Sequence, residues 1–156
     1  MLKPGDIAPE IDAFASDGKR FRLSEQATKL CTVVYFFPKA FTPGCTAEAK
    51  RFRDNYPELA LAGASIVGIS TDDQKTQCSF ADSLRAPFPM IGDADKKISA
   101  AYGVLWPLIS LPKRVTFVIN PLRTIEAVFQ HEVQIAKHRD EVLRWVEQLY
   151  RSRRGS

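Results

Sequence analysis

One stretch decides the fold of this chain, and it reads Thr32-Val33-Val34-Tyr35-Phe36-Phe37-Pro38-Lys39-Ala40-Phe41-Thr42-Pro43-Gly44-Cys45. Its first part is β-branched or aromatic on both faces, which predicts a strand buried on both sides that ends at Pro38. A turn follows, and a helix is predicted to begin at Pro43, because proline is favoured at the first helical position. Cys45 is therefore expected in the first turn of a helix, directly after a buried strand.

This position gives the Cys45 thiol two interpretations. The first N–H groups of a helix have no internal partner, and the helix dipole adds partial positive charge there. Such surroundings push a thiol toward the thiolate, which is the reactive form. The alternative is a small buried residue, because Cys45 begins an apolar stripe that continues through Ala49, Phe52 and Leu59 and should face the sheet.

Strands and helices alternate through the rest of the chain. Two short segments around Asp17-Gly18 predict a β-hairpin. After it the pattern predicts strand 30–37, helix 44–62, strand 64–70, helix 72–85, an extended segment 87–91, helix 93–101, strand 114–119, edge strand 124–130 and helix 135–151. This order indicates an α/β sandwich, in which a mixed sheet is covered by helices on both faces. Sites in such sheets lie where strand ends meet helix starts, as at Cys45.

Size and composition fit one domain. The chain has 156 residues, of which 45% are hydrophobic and 26% charged, and we expect a single domain over 1–156 with a frayed basic tail at 151–156. The net charge of +4 is mild, and outside the tail basic and acidic residues are mixed. This pattern argues against nucleic-acid binding.

Location is predicted from the same data. No apolar stretch approaches the roughly 20 residues of a membrane span, and residues 1–6 lack the apolar core of a signal peptide. We therefore expect a cytoplasmic protein with no membrane partner. Its three cysteines, an odd number without close pairing, argue against a disulfide framework.

Three polar residues are candidates for a site around Cys45. Thr42 is expected to cap the helix, which would also hold its hydroxyl beside the sulfur. Arg114 opens an apolar strand and is either a solvent-exposed strand end or a partly buried guanidinium whose partner would be the Cys45 thiolate. Glu48 either orients Arg114 or is a first-turn acid that favours the helix dipole.

The other two cysteines differ in their predicted surroundings. Cys78 lies on helix 72–85 and points away from the core residue Phe80, so it is expected at the rim or exposed. Cys31 opens a buried strand and is interpreted as a packing residue.

Metal and cofactor sites are not indicated. The histidines are His131 and His138, and the cysteines form no closely spaced ligand pair, so we predict no metal site. No glycine-rich phosphate loop is present, and we predict no cofactor. A Cys–His hydrolase would require His131 or His138 to lie against Cys45, which nothing in the sequence indicates.

The residues around Cys45 resemble the active-site signature of peroxiredoxins. The signature is Pro38-x-x-x-Thr42-x-x-Cys45, followed far downstream by Arg114 in Arg-Val-Thr-Phe-Val-Ile. Several further strings are similar to the peroxiredoxin Q, or bacterioferritin comigratory protein, branch: Tyr35-Phe36-Phe37-Pro38-Lys39, Thr42-Pro43-Gly44-Cys45-Thr46-Ala47-Glu48, Gly5-Asp6-x-Ala8-Pro9, Phe52-Arg53-Asp54 and Gly68-Ile69-Ser70. The resemblance covers nearly the whole chain.

The resemblance implies a thioredoxin-like fold and a thiol peroxidase for hydrogen peroxide and organic hydroperoxides. Cys45 matches the peroxidatic cysteine, Thr42 and Arg114 would hydrogen-bond the thiolate and the peroxide, and Pro38 would shield the pocket. In-line attack of a thiolate on an O–O bond needs donors that stabilise charge moving to the leaving oxygen, and it yields a sulfenic acid on Cys45. Analogy with the branch suggests a monomer or weak dimer.

The chain departs from the branch at the resolving cysteine. Many members carry it five positions after the first, where this chain has Lys50. Others carry it in the helix after the next strand, where Cys78 lies about one turn early. We predict that Cys78 attacks the sulfenic acid after both helix starts loosen, and that a thioredoxin-like partner reduces the disulfide. Two alternatives stay open: a one-cysteine peroxidase resolved by an external thiol, and a non-enzymatic redox sensor.

Overall fold

The computed structural model describes residues 1–26, 30–130 and 135–154, and within the last range the side chains of 141–152. The strands in these ranges are β1 (Asp12–Phe14), β2 (Arg20–Arg22), β3 (Cys31–Phe36), β4 (Ala64–Ser70), β5 (Met90–Gly92), β6 (Val115–Ile119) and β7 (Ile125–Gln130). The α-helices are α1 (Pro43–Leu61), α2 (Gln74–Leu84), α3 (Lys97–Ala101) and α4 (Ile135–Arg154), and a 3₁₀ helix spans Leu23–Gln26. Within the described ranges, no helix combines the length and apolar character that crossing a membrane requires.

Two helix boundaries differ from the sequence prediction by three residues or more. Helix α3 begins at Lys97 rather than at residue 93, because the Asp93 carboxylate accepts hydrogen bonds from the backbone N–H groups of Ile98 and Ser99, at 3.2 and 2.8 Å. Asp93 thus stands ahead of the helix and satisfies its first donors. Helix α4 continues to Arg154, so residues 151–154 of the predicted frayed tail are helical. An ion pair from Arg151 to Glu147, one turn earlier, supports this end.

The central sheet has five strands in the order β5-β4-β3-β6-β7. Strand β3 pairs in parallel with β4 and antiparallel with β6, so the sheet is mixed, as predicted. The edge position predicted for β7 is confirmed, and the short extended segment near residue 90 forms the opposite edge. The predicted hairpin is a separate two-stranded sheet of β1 and β2.

Two hydrophobic clusters lie on the two faces of this sheet. On one face, α1, α2 and α4 bury Phe52, Phe80 and Val146. On the other face, the hairpin and the segment around α3 contribute Phe21 and Tyr102. The three-layer sandwich is therefore confirmed, although short elements rather than long helices cover the second face.

The strand register brings several segments together at one end of the central strands. Phe36, the last residue of β3, pairs with Ile69 of β4 and with Val115, the first residue of β6. The end of β3, the end of β4 and the beginning of β6 consequently lie side by side. The loop to α1 and the turn to α2 begin at this end of the sheet, and Arg114 lies there as well.

Candidate active site

Cys45 occupies the first turn of α1 and is buried beneath it. Pro43 begins the helix, as predicted, and Cys45 is only 2% exposed. It belongs to the hydrophobic cluster that contains Tyr35, Phe37 and Phe52. The expectation that Cys45 faces the sheet is confirmed.

Arg114 contacts the sulfur of Cys45. It precedes β6 by one residue rather than opening it, and its side chain is 6% exposed. Its Nη2 donates a hydrogen bond to Cys45 Sγ at 3.4 Å, and its Nη1 donates to Glu48 Oε1 at 2.6 Å. Of the two interpretations of Arg114, the geometry agrees with the buried guanidinium beside the thiol.

Glu48 lies one turn after Cys45 on α1 and is fully buried. A buried carboxylate needs a charged partner, and the contact with Arg114 provides one. Burial lowers the pKa of the Arg114 guanidinium, but the charges of Glu48 and Cys45 and the hydrogen bonds to both outweigh it, so the net pKa is raised. Arg114 therefore stays a cation, held in place from the helix that carries Cys45.

Thr42 stands at the N-cap of α1, but its side chain does not cap the helix. Its hydroxyl donates a hydrogen bond to the Lys39 carbonyl at 2.8 Å, so the expected side-chain cap is wrong. The reason is the preceding turn, in which Phe41 has a φ of 67° and the chain folds back so that the Lys39 carbonyl meets the hydroxyl. The first N–H groups of α1 consequently have no side-chain acceptor from Thr42.

The remaining predicted residues lie around this centre. Pro38 is half-buried and lies two residues after the end of β3, in the loop to α1. Cys78 is half-buried on α2, where the Gln74 side-chain amide donates to its sulfur at 3.6 Å. Cys31 is 1% exposed in the core, as predicted. All three cysteines carry thiols, and no disulfide joins Cys45 to Cys78.

The histidines fall outside the part of the chain whose side chains are described. His131 lies in the range 131–134, and the side chain of His138 belongs to 135–140. The hydrolase alternative is therefore not tested by geometry.

Sequence reasoning missed one contact of the loop before Cys45. Two adjacent acids, Asp72 and Asp73, precede α2, and Asp73 caps the helix by accepting a hydrogen bond from the Thr76 N–H at 2.7 Å. Asp72 instead accepts a hydrogen bond from the Ala40 N–H at 2.8 Å. The only signal in the sequence was the presence of two adjacent acids where one suffices for the cap.

Comparison with known proteins identifies the family. A profile described as the AhpC/TSA family matches residues 4–128, which is most of the chain. The chain is a peroxiredoxin. It is 36% identical to peroxiredoxin Bcp of Escherichia coli K12 over 154 residues, and this alignment covers 94% of this chain and 97% of the relative. It is 38% identical to chloroplastic peroxiredoxin Q of Populus jackii over 149 residues, and this alignment covers 95% of this chain and 70% of the relative.

A solved structure gives the same placement. The crystal structure of peroxidoxin BcpB from Mycobacterium tuberculosis superposes with a TM-score of 0.85 at 35% identity, covering 97% of this chain and 98% of that one. The predicted thioredoxin-like fold and membership of the Q/Bcp group are thereby confirmed. This peroxiredoxin is a thiol-dependent peroxidase, which uses a peroxide and a thiol reductant.

Proposed function

We propose that this peroxiredoxin reduces hydrogen peroxide and organic hydroperoxides at Cys45, with Arg114 and Thr42 as hydrogen-bonding residues and Pro38 as a shield. The observation that carries the proposal is the hydrogen bond of 3.4 Å from Arg114 to the Cys45 sulfur. Membership of the family supports turnover over a non-enzymatic sensor. A Xanthomonas campestris bacterioferritin comigratory protein, 28% identical with a TM-score of 0.82, is described as having alkyl peroxide reduction activity, which supports the wider substrate class.

The first chemical step oxidises sulfur and reduces the peroxide. The Cys45 thiolate attacks one peroxide oxygen in line with the O–O bond, so that an S–O bond forms and the O–O bond breaks. The leaving oxygen departs with the electron pair, takes up a proton and becomes water or an alcohol, while Cys45 becomes a sulfenic acid. Arg114 stabilises negative charge on sulfur and then on the departing oxygen.

Glu48 acts in this proposal as a positioning residue. Its buried carboxylate accepts from Arg114 Nη1 at 2.6 Å, and the planar guanidinium then directs Nη2 toward sulfur. The N–H groups at the start of α1 are further donors, since the Thr42 side chain turns to the Lys39 carbonyl instead.

Cys78 is the proposed resolving residue. Its sulfur attacks the Cys45 sulfenic acid, an S–S bond forms, and water leaves. Cys78 is half-buried whereas Cys31 is in the core, so Cys78 is the thiol that a modest rearrangement can expose. Cys45 must also leave its buried position, so the start of α1 has to loosen. A thioredoxin-like dithiol then reduces the disulfide by exchange.

One alternative has a specific comparison in its favour. A yeast mitochondrial 1-Cys peroxiredoxin, 25% identical with a TM-score of 0.86, is described as resolved through glutathione and thioredoxin systems. An external thiol would then take the place of Cys78. In either case the cycle needs a supply of reduced thiol, and we propose that the protein acts in the cytoplasm as a monomer or weak dimer.

The deciding experiment treats the reduced protein with one equivalent of hydrogen peroxide and then measures intact mass and maps peptides without reduction. A Cys45–Cys78 link is the expected result. One added oxygen on Cys45 with Cys78 still a thiol would identify the one-cysteine cycle. An unmodified Cys45, with peroxide unconsumed, would overturn the proposed function.

A further inference from the structure

The loop that leads to Cys45 has a backbone conformation that it would not adopt alone. Phe41 has a φ of 67°, in the left-handed region, which is unfavourable for a bulky side chain. Phe41 is 53% exposed, and its ring packs edge to face on Phe80 of α2, with ring centres 5.2 Å apart. Strain of this kind persists only where neighbouring contacts hold it.

Asp72 provides the polar contact that holds this loop. Its Oδ2 accepts from the backbone N–H of Ala40, the residue before Phe41, at 2.8 Å. The same oxygen accepts from the hydroxyl of Ser70, which is fully buried, at 2.6 Å. Hydrogen bonds to a charged acceptor are stronger than those between neutral groups, and this one ties the strained loop to the turn between β4 and α2.

The turn that carries Asp72 is itself fixed to β5. The Gly92 N–H donates to the Gln74 side chain at 3.0 Å, and the Asp93 N–H donates to the Ser70 carbonyl at 2.7 Å. A methyl group on Gly92 would lie 2.7 Å from the Asp72 carbonyl oxygen, so the two backbones pack without space for a side chain. Asp72 therefore anchors a strained segment to a rigid one.

We propose that Asp72 is a positioning residue that latches the loop 37–42 to the start of α2 and so keeps Cys45 in its buried, peroxide-reacting position. Release of the latch frees the loop and the first turn of α1 together, which is the rearrangement that a Cys45–Cys78 bond requires. This inference rests on the proposed function. In this proposal, the Asp72 carboxylate sets the rate of Cys45 oxidation relative to the rate at which Cys45 and Cys78 form a disulfide.

Asp73 offers a matched control for Asp72. The two acids are adjacent, but Asp73 caps α2 through the Thr76 N–H and Asp72 bonds to the loop. Replacing either with alanine removes one carboxylate from the same turn, and both variants lose stability. Only the Asp72 variant loses the contact with Ala40.

The first test is amide hydrogen exchange in the reduced protein, without peroxide. In Asp72→Ala, the peptide covering 38–47 should exchange about tenfold faster, the factor expected from losing one hydrogen bond to a charged group. In Asp73→Ala, faster exchange should be confined to the start of α2. Unchanged exchange of 38–47 in Asp72→Ala, or an equal increase in Asp73→Ala, would overturn the latch. If the alanine variant does not fold, Asp72→Asn, which keeps the shape and removes the charge, should show the same change more weakly.

The second test measures the two steps of the cycle by stopped-flow fluorescence and quenched mass analysis. Asp72→Ala should slow oxidation of Cys45 and speed formation of the Cys45–Cys78 disulfide, so the ratio of the rates changes by about tenfold or more. In Asp73→Ala, which keeps the contact between Asp72 and Ala40, oxidation of Cys45 should stay within about twofold of the wild-type rate. Both steps of Asp72→Ala at wild-type rates would overturn the proposal. A wild-type protein that does not react with peroxide would instead overturn the proposed function, and the exchange test would still decide the latch.

Discussion

Arg114 and Cys45, which are 69 positions apart in the chain, meet through a hydrogen bond of 3.4 Å from Nη2 to Sγ. The other terminal nitrogen of the same guanidinium donates to Glu48 at 2.6 Å. Because the guanidinium is planar and rigid, fixing one nitrogen on Glu48 sets the direction of the other. The geometry of the cation is thus determined by α1, the helix that also carries the thiol.

Arg114→Lys should slow oxidation of Cys45 by about 100-fold while the fold is retained, since a single ammonium cannot hold Glu48 and direct a second donor at sulfur. Stopped-flow fluorescence after mixing with hydrogen peroxide measures this rate. In Arg114→Ala, the buried Glu48 carboxylate would lose the Arg114 cation, and the free energy of unfolding should fall by about 3–5 kcal/mol. If Cys45 were oxidised at the wild-type rate in Arg114→Lys, the planar geometry of the guanidinium would not contribute to the reaction.

The variants Glu48→Gln and Glu48→Ala show whether Glu48 acts by orienting Arg114 or through its negative charge. The glutamine amide keeps an acceptor for Arg114 Nη1, so its oxidation rate should stay within about tenfold of wild type, whereas the alanine variant should lose about 100-fold. Rate constants at saturating and limiting peroxide test this. Equal losses in both variants would mean that Glu48 acts through its charge and not through the orientation of Arg114.

Cys78→Ser should stop formation of the disulfide and leave oxidation of Cys45 at the wild-type rate. After one equivalent of peroxide, the variant should carry a sulfenic acid on Cys45 that a dimedone probe traps. Cys31→Ala is the control, because Cys31 is 1% exposed in the core and should take no part in the cycle. Wild-type turnover of Cys78→Ser with a thioredoxin system would favour an external resolving thiol.

Tyr35→Phe should leave stability unchanged or raise it by up to about 1 kcal/mol. The Tyr35 hydroxyl is buried and has no hydrogen-bond partner among the described residues, so its removal relieves a desolvated polar group. Burial, followed by the charges of Glu48 and Cys45, raises the pKa of Tyr35 well above its ordinary value of 10.0. Above that pH the unfolded chain loses this proton and the folded chain keeps it, so wild-type stability falls as the pH rises through 10.0.

Urea unfolding at neutral pH and at pH values around the tyrosine pKa measures both effects. The stability of Tyr35→Phe should decline less steeply with rising pH than that of wild type. If the stability of the two proteins declined equally with rising pH, the Tyr35 phenol would not stay protonated in the folded state.

Gly68→Ala should destabilise the fold by about 1–3 kcal/mol. A methyl group at Gly68 would lie 2.7 Å from the Tyr35 ring, which the tightly packed neighbours Phe52 and Phe88 prevent from moving. Combining Gly68→Ala with Tyr35→Leu should lose less stability than the sum of the two changes, because the pair is in contact. Additive losses would show that the ring yields elsewhere.

The local pattern of the sequence was sufficient for the element order and for the position of Cys45. The strand 31–36 was predicted within one residue at each end because it is apolar on both faces and a proline follows it. Helix α1 was predicted because Pro43 and the stripe from Cys45 to Leu59 give both its start and its buried face. These signals act over a few residues, within which backbone geometry depends on neighbouring side chains.

The contacts of Asp72 and Thr42 had no such signal, and the contact of Arg114 with Cys45 was one of two interpretations between which the local sequence could not decide. Arg114 reaches Cys45 because β6 runs antiparallel to β3 in a register that pairs Val115 with Phe36, and strand pairing joins residues far apart in the chain. Asp72 bonds to Ala40 for the same reason, through the parallel pairing of β3 and β4. The Thr42 hydroxyl turned away from its helix because the strained turn at Phe41 placed a carbonyl within its reach. Local sequence pattern therefore predicted the position of Cys45 in the fold, whereas sheet register and packing selected the groups that surround it.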